Sequence, residues 1–263
     1  MQNSAARKKL IAAIILVAVF DLVIWSRIFY SVPRAPGEVS FLDVGQGDAA
    51  LIESGSGYKV LIDGGPGPAL VSELDKVMGQ EAKYIDLIAV SHPERDHFAG
   101  INYVLDSYDA GAFFYSGREP LEADLEWQSL SAKLMSKKIP RVSLAANDII
   151  FLGEDRIKVL SPDPNVWQSG GLNETSLVLR LTSGALRMLF AGDIDEMVEN
   201  NLVGKKDLSA DVLKVAHHGS KYSSAPNFLA EIDPMVSVIS VGARNTYGHP
   251  ASLVLERLEK NGG

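Results

Sequence analysis

At 263 residues, 46% hydrophobic and 22% charged, the chain is long enough to bury a sizeable core, as one domain of α/β size or two small ones. A formal net charge of −8 excludes a generally basic nucleic-acid-binding surface and leaves room only for a local positive groove. With no cysteine, disulfides and thiolate metal sites are excluded, so any transition metal must be held by His, Asp, Glu or Asn.

The first element in chain order is apolar. "LIAAIILVAVFDLVIWSRIFY", Leu10 to Tyr30, has about the ~20 residues a helix needs to cross a bilayer. Arg7, Lys8 and Lys9 precede it, and Trp25 and Tyr30 stand near its far end as interface anchors. Asp21 interrupts the run at roughly 2.5–3.5 kcal/mol on insertion scales, which the surrounding Ile, Leu, Val and Phe outweigh. A cleaved signal with an apolar region from Leu10 to Phe20 is the alternative, although the bulky "DLVIWSRIFYSV" offers no small-x-small cleavage site. A buried soluble helix is a third reading. With the basic cluster inside, residues 1–30 are expected to anchor the chain and leave the remainder outside the cytoplasm. "SVPRAPGE", residues 31–38, reads as a linker, because two prolines and a glycine oppose regular structure.

From Val39 the pattern changes to short apolar runs separated by turns. "VSFLDV", "AALIES", "KVLIDG", "IDLIAV", "DIIFL", "RIKVLS", "TSLVLRL", "LRMLFAG", "DVLKVAH" and "MVSVISVG" read as strands. Between them helices are predicted over 69–78, 101–107, 121–137, 194–202, 226–231 and 252–260; in the third, Leu121, Leu125, Leu130 and Leu134 form an apolar stripe. Many strands with interspersed helices imply two sheets, or one large sheet, with helices outside. No internal repeat is visible.

Three of the apolar strands end in potential metal ligands. "LIAV" runs into Ser91-His92-Pro93-Glu94-Arg95-Asp96-His97, "RMLF" into Ala191-Gly192-Asp193, and "LKVA" into His217-His218-Gly219-Ser220. Of the five histidines only His249 lies outside these clusters. A single histidine on a strand is ordinarily a hydrogen-bonded core or surface residue. Several ionisable groups buried together without a cation would be expensive, and a shared metal removes that penalty by fixing imidazoles neutral and carboxylates ionised.

"FLDVGQGDAALIE", "VLIDGG", "SHPERDHFAG", "NETSLVLRL", "LFAGD", "LKVAHHGS" and "YGHP" occur in the order of one family. The chain resembles a metallo-β-lactamase-fold hydrolase, specifically the extracellular hydrolase domain of ComEC-type competence DNA-uptake proteins, from Val39 to the C-terminus. That resemblance implies an αββα sandwich over 39–263, with the metal site along the shared edge of two sheets, preceded here by a single transmembrane helix. In the family this domain accompanies a multi-spanning channel and a small β-barrel domain, and further strand-forming sequence follows the position of "LEKNGG".

The superfamily motif His-x-His-x-Asp-His falls on His92, Glu94, Asp96 and His97, with Glu94 in a histidine position. Asn173 stands where other members keep a histidine, Asp193 matches the metal-bridging carboxylate, and the His217-His218 pair supplies the last ligand. His217 is expected as the ligand and His218 as the acid/base partner. The resemblance thus implies one or two divalent metal ions, zinc or manganese, held by His92, Glu94, Asp96, His97, Asp193 and His217. Replacing imidazole by carboxylate or amide shifts preference from zinc toward manganese or magnesium. Asp96, His218 and His249 are expected in catalysis; Asp48, Asp63, Asn173 and Ser220 are expected to support the ligands or the substrate. Asp43, Gln46 and Asp48 lie in a Gly-rich turn that is either structural or functional. The expected activity is phosphodiester hydrolysis on DNA beside a separate channel subunit. Hydrolysis of a small or cell-wall phosphodiester, ester or lactone, or a non-catalytic metal- or DNA-binding role, are the alternatives.

Overall fold

A computed structural model describes residues 2–29, 37–120, 123–163 and 171–261. The chain divides into two compact units, Met1–Ala35 and Pro36–Gly263. The first holds helix α1 (Gln2–Phe29), whose side chains from Leu10 to Trp25 are exposed throughout. The sequence leads us to expect a membrane-spanning segment there, but among the described residues no helix is long and apolar enough to cross a membrane. Most of the expected linker, residues 31–36, lies outside the described residues, and Glu38 already opens a strand.

In the second unit the chain runs β1 (Glu38–Phe41), β2 (Ala50–Glu53), β3 (Lys59–Ile62), α2 (Ala69–Met78), β4 (Tyr84–Val90), α3 (Arg95–Ser107), β5 (Asp109–Tyr115), α4 (Leu125–Ser136) and β6 (Arg141–Ser143). These six strands form one sheet in sequential order, antiparallel from β1 to β3 and parallel from β3 to β6. The chain then continues through β7 (Ile149–Leu152), β8 (Asp155–Ser161), β9 (Val178–Ser183), β10 (Leu186–Phe190), α5 (Glu196–Leu202), β11 (Val212–Lys214), α6 (Pro226–Ile232), β12 (Val236–Val238) and α7 (Ser252–Lys260). Its strands build a second sheet, again in sequential order, antiparallel from β7 to β10 and parallel from β10 to β12.

Three apolar layers hold these elements together. Ile52, Val60 and Ile62 of the first sheet pack with Val159, Leu179 and Phe190 of the second. The outer face of the first sheet is covered by Leu70, Leu74, Phe98, Ile101 and Trp127 from its helices. Phe228, Leu229, Val254 and Leu258 cover the second sheet through Leu189 and Leu213. The result is a helix–sheet–sheet–helix sandwich. It explains the apolar end "LIAV" of β4: Ile88 and Val90 face the helices, Leu87 and Ala89 face the other sheet, so both sides of this stretch are apolar.

Where the structure departs from the sequence reading, local chemistry gives the reason. Helix α3 begins at Arg95 rather than 101, so the ionisable stretch is itself a helix start. Helix α4 begins at Leu125 because Asp124 accepts from the N–H groups of Glu126 (2.8 Å) and Trp127 (3.0 Å) as its N-cap. Strands β5 and β6 were not anticipated: β5 mixes small residues with aromatics, and β6 has three residues, all exposed.

Candidate metal centre

The site is built where parallel strands end together. Ile62 of β3 pairs with Ala89 of β4, so the segments carrying Asp63 and Ser91–His92 emerge side by side. Phe190 of β10 pairs with Lys214 of β11, which brings the Asp193 and His217–His218 segments off one edge of the other sheet. Helix α3 is pressed onto the "LIDGG" loop, with Gly64 N–H donating to the His97 carbonyl (2.6 Å) and Gly100 N–H to the Gly65 carbonyl (2.9 Å). A Cβ on Gly100 would lie 2.0 Å from the Gly64 carbonyl oxygen; only glycine permits this approach, which seats Asp96 and His97 in the first helical turn.

Hydrogen bonds behind the histidines set which ring nitrogen faces inward. Asp63 is buried and accepts from Ser91 N–H (2.7 Å) and Ser91 Oγ–H (2.9 Å). Its Oδ2 lies 3.0 Å from His97 Nδ1. Since the single Ser91 hydroxyl proton goes to Asp63, Ser91 Oγ accepts from His92 Nδ1, 3.0 Å away. His218 Nδ1 in turn donates to the Ser240 carbonyl (2.9 Å). All three rings therefore turn Nε2 toward the centre.

There the donors converge. His97 Nε2 is 3.4 Å from Asp193 Oδ1, and His218 Nε2 is 3.3 Å from Asp96 Oδ2 and 3.5 Å from Asp193 Oδ2. Four donor sets among the described residues, His92/His97/Asp193, Asp96/His97/His218, Asp48/Asp63/His97 and Asp48/Asp193/His218, each have one ligand atom per residue within 4.8 Å of the others. His92, His97 and His218 Nε2 and Asp193 Oδ1 are all buried without a hydrogen-bond partner. A polar atom buried that way is normally destabilising. Three such nitrogens aimed at one carboxylate make a donor set suited to a divalent cation, and the residues fit the metal that their chemistry implies.

The protein's own charges push these groups far from their ordinary ionisation. Burial opposes charge on His97, yet Asp193 and Asp63 hold it well above the usual histidine range. Burial likewise opposes charge on His218, but the surrounding carboxylates of Asp48, Asp96 and Asp193 carry it up to about 10. Asp193 stays well below the carboxylate range, against burial, because His97, His218 and His92 surround it. Asp96 is lowered too, its burial outweighed by His218 and His97.

The two adjacent histidines take the opposite placement from the one expected. His218 is 2% exposed and points inward, whereas the His217 side chain is 27% exposed, sits 3.9 Å from Asp193 Oδ2 and enters none of the donor sets. Consecutive left-handed residues, His217 at φ 50° and His218 at φ 54°, produce the turn that swings the second ring in. Such backbone is sparsely populated for non-glycine residues and stores strain.

Of the other expected residues, Glu94 is the N-cap of α3 by position, its side chain 40% exposed and 3.8 Å from His92 Nε2, outside the donor sets. Asn173 opens a short 3-10 turn with Oδ1 buried and unpartnered. With Glu94, Glu174, Asp195, His217 and Tyr222 it lines an open cleft of about 420 Å³. His249 stacks on Tyr247 (27° between planes) and faces the rings of His217 and His218; burial, then those histidines, lower its pKa. Ser220 Oγ accepts from Tyr222 N–H and Asp43 from Gly45 N–H, each within its own turn, whereas Gln46 Oε1 accepts from Gly242 N–H and so ties its turn to a segment 196 residues away. Asp48 lies beneath His218 and binds Lys214 at 2.7 Å. Sequence reasoning passed over Ser91 and Lys214; a serine at a strand end directly before His92 was the available signal for the first.

The family model described as the metallo-beta-lactamase superfamily matches residues 42–243. The chain is 25% identical over 250 residues to ComE operon protein 3 of Bacillus subtilis, covering 88% of this chain and 32% of that protein. It is 27% identical over 240 residues to Competence protein ComA of Neisseria gonorrhoeae, covering 88% and 31%. The chain thus spans about a third of the length of these curated relatives. The solved metallo-beta-lactamase fold protein YhfI of Bacillus subtilis superposes with a TM-score of 0.54 at 17% identity, over 87% of this chain and 92% of that one, a likeness of fold.

Proposed function

The chain belongs to the metallo-beta-lactamase superfamily and is related to ComEC-type competence proteins, and from that premise we propose that it is an exported, metal-dependent phosphodiesterase acting on DNA. The observation that carries the reading is the convergence of three buried, unpartnered Nε2 atoms on Asp193. Asp96, His97 and His218 would hold one zinc or manganese ion. His92 and Asp193 would hold a second, with Glu94 and Asn173 at its open side. When bound, such ions supply Lewis acidity to a phosphoryl group and to the attacking water. Relatives named for competence and for recombination point to DNA as the substrate.

The residues of this chain do the rest. Asp63, Ser91 and the Ser240 carbonyl hold the Nδ1 edges of the three histidines, so the inward nitrogens are fixed before any ligand arrives. A cation held there would take the place of protons on the inward nitrogens of His97 and His218. His217, at the cleft wall, and His249, behind it, are placed to pass a proton to a leaving oxygen.

Among the described residues the cleft walls bear Glu94, Glu174 and Asp195 and no lysine or arginine. An anionic diester gains nothing from those walls, so its binding depends on the cations. That acidity is also what favours a second reading, hydrolysis of a small or cell-wall phosphodiester, ester or lactone. After reconstitution with zinc or manganese, the protein is expected to cleave bis-(p-nitrophenyl) phosphate and single-stranded or plasmid DNA, and EDTA is expected to abolish both cleavage and DNA binding. Turnover of small esters alone would support the second reading; stoichiometric metal with no turnover of any of these would leave a non-catalytic domain.

The reading includes attachment of residues 10–30 to a membrane, with the Pro36–Gly263 unit outside the cytoplasm and beside a separate channel subunit. Its support is the exposed apolar run from Leu10 to Trp25 behind the basic Arg7–Lys9. In a liposome flotation assay the full chain is expected to rise with the lipid. Sedimentation away from the lipid would end this part of the proposal.

A further inference from the structure

Beneath the centre lies an ion pair that joins the two sheets. Lys214, on β11, is 4% exposed, and its Nζ donates to Asp48 Oδ2 (2.7 Å) and the Val215 carbonyl (3.1 Å). Asp48, 5% exposed, comes from the turn between β1 and β2 of the other sheet. Its backbone N–H donates to the Asp96 carbonyl (3.2 Å) and its carbonyl accepts from Gly65 N–H (2.8 Å), which ties it to the first turn of α3 and to the "LIDGG" loop. Its free oxygen, Oδ1, is buried without a hydrogen-bond partner and lies 3.3 Å from His218 Nδ1.

Stability alone gives a poor account of this pair. Desolvating both charges offsets most of their attraction, and a well-packed apolar pair of similar volume is commonly as stable. Position gives a better one. His218 sits on strained left-handed backbone, and its Nδ1–H is directed at the Ser240 carbonyl. The ring needs something along that edge to keep Nε2 aimed at Asp96 and Asp193. Asp63 backs His97 in the same manner, held by the two Ser91 donors, so His97 and His218 each have a fixed carboxylate behind the ring.

We propose that Lys214 is a positioning residue: it pins Asp48 through one oxygen so that the other borders the Nδ1 edge of His218 and fixes that imidazole as a metal ligand. The inference rests on the metal-centre reading above and adds to it Lys214, the residue that holds Asp48 in place behind His218.

The test uses the full-length chain with Lys214→Met, Asp48→Asn and the double variant Lys214→Met/Asp48→Leu. Melting temperature in EDTA is read beside zinc affinity from a competition titration. Lys214→Met is expected to lower the melting temperature, since it leaves a buried carboxylate unpaired, and to weaken zinc binding about 10- to 100-fold. The double variant removes both charges; it is expected to recover most of the melting temperature while zinc binding stays 10- to 100-fold weak. Parental zinc affinity in the double variant would overturn the proposal and make the pair structural only. If Lys214→Met alone fails to fold, the double variant and Asp48→Asn still decide. A parent that binds zinc but cleaves no diester defeats the phosphodiesterase reading and leaves this comparison intact; a parent that binds neither zinc nor manganese defeats both.

Discussion

Asp193→Ala is expected to abolish hydrolysis of bis-(p-nitrophenyl) phosphate at saturating metal, by about a thousandfold or more, while the fold survives. The magnitude follows from position. Asp193 turns Oδ1 toward His97 and Oδ2 toward His218 and His217, so one substitution removes both carboxylate oxygens from the middle of the donor cluster. Lewis acidity contributes several kcal/mol to such reactions, and each ~1.4 kcal/mol is tenfold in rate. Asp193→Asn, which keeps the shape and one neutral donor, should lie between. Far-ultraviolet circular dichroism of both variants separates lost chemistry from lost structure, because Asp193 is held by its loop and not by the core. Activity within about threefold of the parent in a folded Asp193→Ala protein would remove this carboxylate from the site.

Much of this arrangement was legible because apolar strands stop abruptly at ligand residues. "IDLIAV", "LRMLF" and "DVLKVAH" are buried for most of their length, and their polar ends can only project from the sheets. What was not legible is long-range or conformational. Lys214 sits in a strand like any apolar residue, and its partner is 166 residues away in sequence. The choice between His217 and His218 depends on two consecutive positive φ angles, which neighbouring residue types do not announce. The start of α3 was placed six residues late because Asp96 and His97 look like loop residues, yet the first turn of a helix tolerates acidic side chains well. Strand β6 is held by its register with β5 (Phe113↔Arg141, Phe114↔Val142, Tyr115↔Ser143) rather than by any pattern of its own.

A second large effect is expected in the pH dependence of stability, and it comes from a residue outside the centre. Glu199, on α5, is fully buried and accepts from the N–H groups of Ser224 (2.6 Å) and Ala225 (2.7 Å). Ala225 is the N-cap of α6 and has no side-chain oxygen to offer, so a carboxylate from another helix does the capping. Arg257 of α7 donates to the Ser223 and Ser224 carbonyls on the same turn (3.1 Å each). Burial pushes the Glu199 carboxyl up from 4.5 to about 7; the two N–H bonds restrain the rise, and Glu196 and Asp195 add to it. Between those values the folded chain binds the proton more tightly than the unfolded chain. Stability from this group is therefore present at low pH and is lost as pH rises from about 4.5 to about 7. At ~1.4 kcal/mol per pH unit the whole change is roughly 3 kcal/mol. Glu199→Gln cannot titrate. Its single amide oxygen leaves one backbone N–H poorly served, a loss of about 1–3 kcal/mol that does not vary with pH. Urea unfolding in EDTA at pH 5, 6, 7 and 8 is expected to show the stability of the parent relative to Glu199→Gln falling by roughly 3 kcal/mol as pH rises. His97 and His218, also raised above their ordinary range, lose stability in the same direction, but they are common to both proteins and drop out of the difference. Parallel curves across the four pH values would mean that Glu199 is already ionised in the folded chain at pH 5. The two N–H bonds would then outweigh burial, and this turn behind His217 and His218 would be held by a permanent charge.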